Sequence, residues 1–252
     1  MYATELSLPS VTRTIYKQII HTEVVNMKSR FQISESVEIG IVLALAGGFM
    51  DAYSYMCRGE VFANAQTGNI LLFGINLSSG NFKAALYYAL PVTAFAFGIV
   101  MSEIIRHRLT SISILHWRQI SIVFEILILF SVGFFPQKYN LPANCLTSLA
   151  CGIQVESFRK IHGNGIATTM CIGNLRSAMQ NLSDYFYSKN RHSLKKGILY
   201  LSVILFFAVG AVIGNLFVNI ISEKAIFLCC AILTGAFLMM FIDREKATSN
   251  KA

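Results

Sequence analysis

Three carboxylates stand in surroundings that offer them no water: Asp51 in LALAGGFMDAYSYMC, Glu125 in IVFEILIL and Glu156 in CGIQVESF. A charged side chain at such a depth in an apolar segment costs on the order of 3 kcal/mol, so each must face protein or a water-filled cavity. Asp51 has two open readings. It is a proton or cation site, or it accepts hydrogen bonds from neighbouring backbone and braces a loop. Glu156 has Arg159 and Lys160 within one helical turn, which favours an interfacial structural pairing. Glu125 has no such neighbour in sequence and is the better candidate for a functional intramembrane acid.

Beside the acids lie two polar signatures, Gln66-Thr67-Gly68-Asn69 and Gly173-Asn174-Leu175-Arg176. Gly68 and Gly173 would let a ligand approach the backbone closely, and unpaired N–H groups at a helix start favour anions and oxygen-bearing ligands. Arg176 is read either as an anion contact and counter-ion for Asp51 or Glu125, or as an arginine that snorkels to the interface. Cysteine and histidine chemistry is absent from the pattern. The six cysteines lie in or at the ends of apolar runs without a CxxC pair, and no HExxH spacing occurs, so no metal or other cofactor is expected.

The two signatures belong to a repeat. Gly47 to Gly152, Asp51 to Glu156, and Gly68-Asn69 to Gly173-Asn174 share one offset of 105 positions, and Phe95-Ala-Phe-Gly98 answers Phe207-Ala-Val-Gly210 at an offset of 112. Self-similarity in one register indicates an internal duplication.

The elements that must position these residues are membrane helices. Of 252 residues, 54% are hydrophobic and 13% charged, against about 25% charged in soluble domains. Apolar runs at 37–57, 84–105, 115–135, 141–158, 197–218 and 225–242 have the length of a bilayer span, about 20 residues. The signature segments do not. From Gly68 to Leu77 there is too little apolar chain to cross, which suggests a re-entrant hairpin: an extended arm over 61–66, then a half-helix opened by Thr67, Gly68 and Asn69, with Thr and Asn as capping residues. If both signatures are re-entrant and the N-terminus is cytoplasmic, 17 Lys and Arg face the cytoplasm and 4 (Arg58, Lys83, Lys138 and Lys224) face outside; if both cross, the asymmetry falls to 13 against 7. The positive-inside rule selects the first model. The net charge of +8 is then a topology signal and not a nucleic-acid footprint.

The expected fold is therefore an all-α polytopic membrane protein with six transmembrane helices and two re-entrant half-helices in two inverted three-span repeats. Residues 1–36 form a cytoplasmic leader, within which Met27 is a candidate alternative start. Residues 37–135 and 141–242 form the repeats, and 243–252 a cytoplasmic tail.

Through GGFMDAYSY, Gln66-Thr67-Gly68-Asn69, the CGIQ run at Cys151 to Gln154, and Gly173-Asn174-Leu175, the chain resembles the YoaK family of bacterial membrane proteins, also called the domain-of-unknown-function 1275 family. The resemblance covers about Gly40 to Ile242, and the second signature departs from the family's Thr-Gly-Asn by carrying Ile172 before Gly173. It implies a polytopic fold in the bacterial inner membrane and brings no activity with it. The function must come from the residues. Interrupted helices and intramembrane acids in both halves point to a transporter or channel for a small solute or ion, with a substrate site at Asp51, Gln66, Thr67, Gly68, Asn69, Glu125, Gln154, Glu156, Gly173, Asn174 and Arg176. No enzyme motif is present. A membrane scaffold or sensor is the alternative, the lipid bilayer is the certain partner, and homo-oligomer formation stays open.

Overall fold

The computed structural model describes residues 36–109, 116–161 and 163–249, with side chains as far as 241. The expected leader, apart from Ser36, and the last three residues of the expected tail lie outside the described residues.

Eight α-helices carry the described chain: α1 Val37–Cys57, α2 Gln66–Ser78, α3 Phe82–Leu109, α4 Trp117–Val132, α5 Asn140–Ser157, α6 Cys171–Ser188, α7 Arg191–Ile221 and α8 Ile226–Ser249. A two-residue antiparallel pair, β1 Lys160–Ile161 with β2 Asn164–Gly165, joins α5 to the extended segment before α6. Ser36 opens α1, its Oγ accepting the Ile39 N–H at 3.2 Å. Three helical stretches are long and apolar enough to cross a membrane by length and composition: Val37–Cys57, Phe82–Leu109, and the 51 residues Arg191–Phe241 that hold α7 and most of α8.

The helices pair between the two halves of the chain. α1 packs on α7 and α5 packs on α3; α2 lies on α3 and α6 on α7; α4 lies on α5 and α8 on α1, while α4 and α8 touch each other. Exchanging α1 with α5, α2 with α6, α3 with α7 and α4 with α8 maps these pairs onto one another. The first helix of each half is thus held by the third helix of the other half.

Glycines make these crossings close. A Cβ on Gly48 would strike the carbonyl of Phe207, and one on Gly210 the carbonyl of Leu45. In the other crossing, Gly152 meets the carbonyl of Phe95 and Gly98 that of Leu149. Small residues that let backbones touch are the usual glue of helix pairs in lipid, where burial of apolar surface gives no drive. The contacts also correct the register. Leu45 answers Leu149 and Gly48 answers Gly152, an offset of 104, so it is Gly48 and not Gly47 that matches Gly152. Within the helices the partner of Asp51 is Val155, and Glu156 answers Ala52. The sequence pairing of the two acids is not the packing equivalence.

Polar clusters mark two opposite ends of the molecule. At one, Arg58 is fully buried: its Nε and Nη2 donate to Tyr53 Oη at 2.8 and 2.6 Å, its Nη1 to the Phe135 carbonyl at 2.8 Å, and its Nη2 to the Val132 carbonyl at 3.1 Å. Tyr53 in turn donates to the Glu223 carbonyl, and Tyr87 to the Arg58 carbonyl. A cation that satisfies the last carbonyls of α4 complements the negative end of that helix. Arg58, placed from sequence among the charges on the outer side of the membrane, is a buried clasp. At the other end Ser102 shares a 2.8 Å hydrogen bond with Ser157, the buried Arg118 Nε donates to the Ser157 carbonyl at 2.8 Å, and Glu103 pairs with Arg106.

Replacing Gly98 by Leu forces side-chain atoms into the backbone of α5 and is expected to cost about 3 kcal/mol or more, whereas Gly74→Leu, on a face with nothing within 4 Å, is expected to be neutral. Thermal unfolding of the two purified variants in detergent measures the difference. Equal melting would contradict the crossing.

Candidate functional site

Each signature asparagine closes a loop. Asn69 Oδ1 accepts the Phe62 N–H at 3.0 Å, and its Nδ2 donates to the Phe62 carbonyl at 2.7 Å and to Gln66 Oε1 at 2.8 Å. Asn174 Nδ2 donates to the Ala167 carbonyl at 2.7 Å. Residues 62 and 167 stand at the offset of 105, as do 69 and 174, so the same seven-residue span is tied in both halves. Both asparagines are buried and used by the fold; the sequence reading had them as substrate contacts, and the structure makes them braces.

The helix starts also differ from the expectation. α2 begins at Gln66 after Ala65, and α6 at Cys171 after Met170, in neither case with a side-chain cap. Thr67 is exposed within the first turn. The orphan donors before α2 go instead to another helix: Asp51 Oδ1 accepts the Asn64 N–H at 2.7 Å, and the amides of Ala63 and Ala65 also face its carboxylate. A carboxylate at a helix start satisfies free N–H groups and the positive end of the dipole together.

The extended segments before α2 and α6 converge on Gly47, the central residue of α1, ten residues and so about 15 Å from either helix end. From the first segment, Asn64 Nδ2 donates to the Gly47 carbonyl at 3.0 Å. From the second, Thr169 Cγ2 lies 2.6 Å from where a Cβ on Gly47 would sit, so only glycine leaves it room. Gln154 of α5 joins them, donating from Nε2 to the Leu43 carbonyl at 3.0 Å and to Thr168 Oγ1 at 3.4 Å. Gln66 Nε2 reaches the Ala63 carbonyl at 2.7 Å and Ser148 Oγ at 3.4 Å. Leu43, Gly47 and Asp51 follow at intervals of four along one face of α1. That stripe is where the two halves meet.

Of the residues singled out from sequence, Asp51 and Gln154 meet at that stripe, while Gln66 bonds to Ala63, Asn69 and Ser148. Gly68 makes room for a ring, since its Cβ would lie 2.7 Å from Phe62, which itself stacks on Tyr55 at 4.9 Å. Gly173 has nothing within 4 Å, and its counterpart of Phe62 is Ala167. Glu156 binds Arg159 at 2.8 Å at the end of α5, away from the stripe, and Arg176 is exposed on α6. Glu125 is fully buried in α4, and neither oxygen has a hydrogen-bond partner among the described residues. It feels the same electrostatic surroundings as Cys151, Cys229 and Cys230, so it occupies the α4–α5–α8 interior and not the loops.

Sequence reasoning missed Asn64, Thr168 and Thr169. The signal was available, because Asn64 and Thr169 are related by the same offset of 105 and are both polar in apolar surroundings. Among the described residues, no three His, Cys, Asp or Glu side chains gather as a metal cluster.

A family model described as "Protein of unknown function (DUF1275)" matches residues 39–239. The UPF0700 transmembrane protein YoaK of Bacillus subtilis (strain 168) is similar, with 24% identity over 182 residues, 68% of this chain and 79% of that protein. No solved structure matches. The chain belongs to the DUF1275 family and is a membrane protein.

The brace formed by Asp51 can be measured. Asp51→Ala removes the acceptor and leaves buried amides without a partner, an expected loss of about 1–3 kcal/mol, while Asp51→Asn keeps one oxygen and should lose less. Denaturant or thermal unfolding of both variants compares them, and wild-type stability in Asp51→Ala would contradict the brace.

Proposed function

We propose that this member of the DUF1275 family is a transporter or channel for a small solute in the bacterial inner membrane, working at the stripe Leu43–Gly47–Asp51. The observation that carries the reading is the convergence of two extended segments, one from each half, on the midpoint of one helix. Non-helical backbone deep in a membrane protein is tolerated only where it is buried in protein or lines a cavity, and such broken helices are the usual site-forming elements of secondary transporters.

In this reading α1, α3, α4, α5, α7 and α8 cross the bilayer, and α2 and α6 are half-helices that start at mid-depth. The 13 residues of α2 span about 20 Å, short of a hydrocarbon core of about 30 Å. The exchange of helix partners between halves is what an inverted pair of three-span repeats would produce. The end carrying Arg106, Arg118, Arg159 and Arg191 is cytoplasmic, by the excess of positive charge, and so are both termini. Arg176, exposed on the first turns of α6, serves as a snorkelling or headgroup-contacting residue. The protein is not an enzyme in this account, and Glu125 is a second, separate intramembrane acid.

A scaffold or sensor role draws support from one observation: both signature asparagines bond to the backbone of their own loops. Transport measurements separate the two. Proteoliposomes adsorbed on a solid-supported membrane and jumped into amino acids, sugars, organic acids, nucleobases and inorganic salts are expected to give a current with at least one of them. Asp51→Asn protein, folded and inserted, should reduce that current at least tenfold. Responses no larger than those of protein-free liposomes across the panel would overturn the transporter reading and leave the scaffold.

A further inference from the structure

Three buried oxygens around the central stripe have no hydrogen-bond partner among the described residues: Asn64 Oδ1, Gln154 Oε1 and Thr169 Oγ1. Their residues are 4%, 0% and 4% exposed. A buried polar atom without a partner costs roughly 1–3 kcal/mol, and such atoms are a few per hundred residues in native proteins, so three on one site call for a physical cause.

The amide orientations are fixed. Asn64 must turn its Nδ2 to the Gly47 carbonyl at 3.0 Å, and Gln154 its Nε2 to the Leu43 carbonyl at 3.0 Å. Flipping either amide would set oxygen against oxygen. The two orphaned amide oxygens are therefore acceptors by construction, and their residues bond to the face of α1 that carries Asp51. Thr169 sits against Gly47, and Gln154 touches Thr168, so the three side chains come from α5 and from both extended segments.

A group lined with acceptors repels anions and calls for a positive charge or for strong donors. The only charged group on the stripe is the Asp51 carboxylate, which is buried and forms no ion pair with a Lys, Arg or His among the described residues; its contacts are the neutral backbone amides of Ala63, Asn64 and Ala65. Amide, hydroxyl and carboxylate oxygens are hard ligands, suited to cations without preference for nitrogen or sulfur. The start of α2 supplies part of the positive potential that Asp51 needs, but a carboxylate and three acceptors together exceed what one half-helix dipole, about half a charge, offsets.

We infer that Asn64 Oδ1, Gln154 Oε1 and Thr169 Oγ1, with the Asp51 carboxylate beside them, form a binding site for a dehydrated alkali-metal ion at the meeting point of the two extended segments. The ion ties the two halves at mid-depth, because its ligands come from α1, α5 and both arms. The inference deepens the transporter reading, since it names the ion class at the same site, but ion binding at equilibrium requires no transport.

The test uses the purified full chain in detergent, unfolded thermally in choline chloride and in sodium, potassium or lithium chloride at constant total salt. A ligand that binds only the folded state stabilises it in a saturable manner. The melting temperature is expected to rise saturably with one of the alkali chlorides and not with choline. Thr169→Val, which keeps shape and removes one oxygen, should raise the half-saturating concentration at least tenfold while leaving melting in choline unchanged or higher. If that variant does not fold, broadening of the sodium-23 resonance by wild-type protein, relieved by excess lithium or potassium, gives the same information. Melting that is equal in all chlorides, without resonance broadening, overturns the site. Stabilisation that persists unaltered in both Thr169→Val and Asn64→Ala places the ion elsewhere and overturns it equally. Saturable binding together with silent proteoliposomes would leave the ion site standing and remove the transporter reading.

Discussion

The close backbone contact of α1 with α7, and of α5 with α3, is the constraint on which the rest of the structure depends. At Gly48 against Phe207, and at Gly152 against Phe95, a methyl group would collide with a carbonyl. Beside this crossing α1 also meets α8 and α5. The two extended segments reach α1 at Gly47. Gly47, one residue from the crossing glycine, then does a separate job, giving room to Thr169 from one arm while its carbonyl takes Asn64 from the other. Two adjacent glycines thus serve two neighbours on different sides of one helix, which explains the pair without any appeal to flexibility.

The two halves of the chain are alike in helix packing and unlike in chemistry. The loop closed by Asn69 has an acid behind it, because Asp51 takes the Asn64 amide. The loop closed by Asn174 has none: in the packing register the place of Asp51 belongs to Val155, and the nearby polar contact is Gln154 with Thr168. One half therefore brings a charge to the meeting point and the other brings neutral oxygens. An exact repeat with two acids would set like charges against each other in a medium that screens them poorly.

Much of the architecture was legible in the sequence. The helix positions follow from apolar runs of membrane length, and the run at 37–57 coincides with α1 at both ends. The loop offset of 105 survives in the Phe62–Asn69 and Ala167–Asn174 ties. What the sequence concealed were consequences of three-dimensional packing. One residue of slippage between helix and loop separates the offset of 104 at Leu45–Leu149 from that of 105 at Asn69–Asn174, and so Glu156 looked like the counterpart of Asp51 when that place belongs to Val155, while its pairing with Arg159 was legible from their spacing. Asn69 and Asn174 looked like ligands because polar residues among apolar ones invite that reading; only coordinates show that their amides are spent on backbone. Arg58 looked like a loop charge, since no pattern announces that the carbonyls of Val132 and Phe135, more than seventy residues away, will need a donor.

The central claim is that the arms preceding α2 and α6 meet on α1 at Gly47. It is tested most directly by placing cysteines at both contacts, Asn64→Cys and Thr169→Cys, in a chain whose six native cysteines have been replaced, and adding mercuric ion, which bridges two thiols held side by side. The account predicts an intrachain bridge in the folded double variant that blocks both thiols from later alkylation, and none when Gly74→Cys replaces Asn64→Cys. Two thiols that stay independently alkylated in folded Asn64→Cys/Thr169→Cys protein would contradict it.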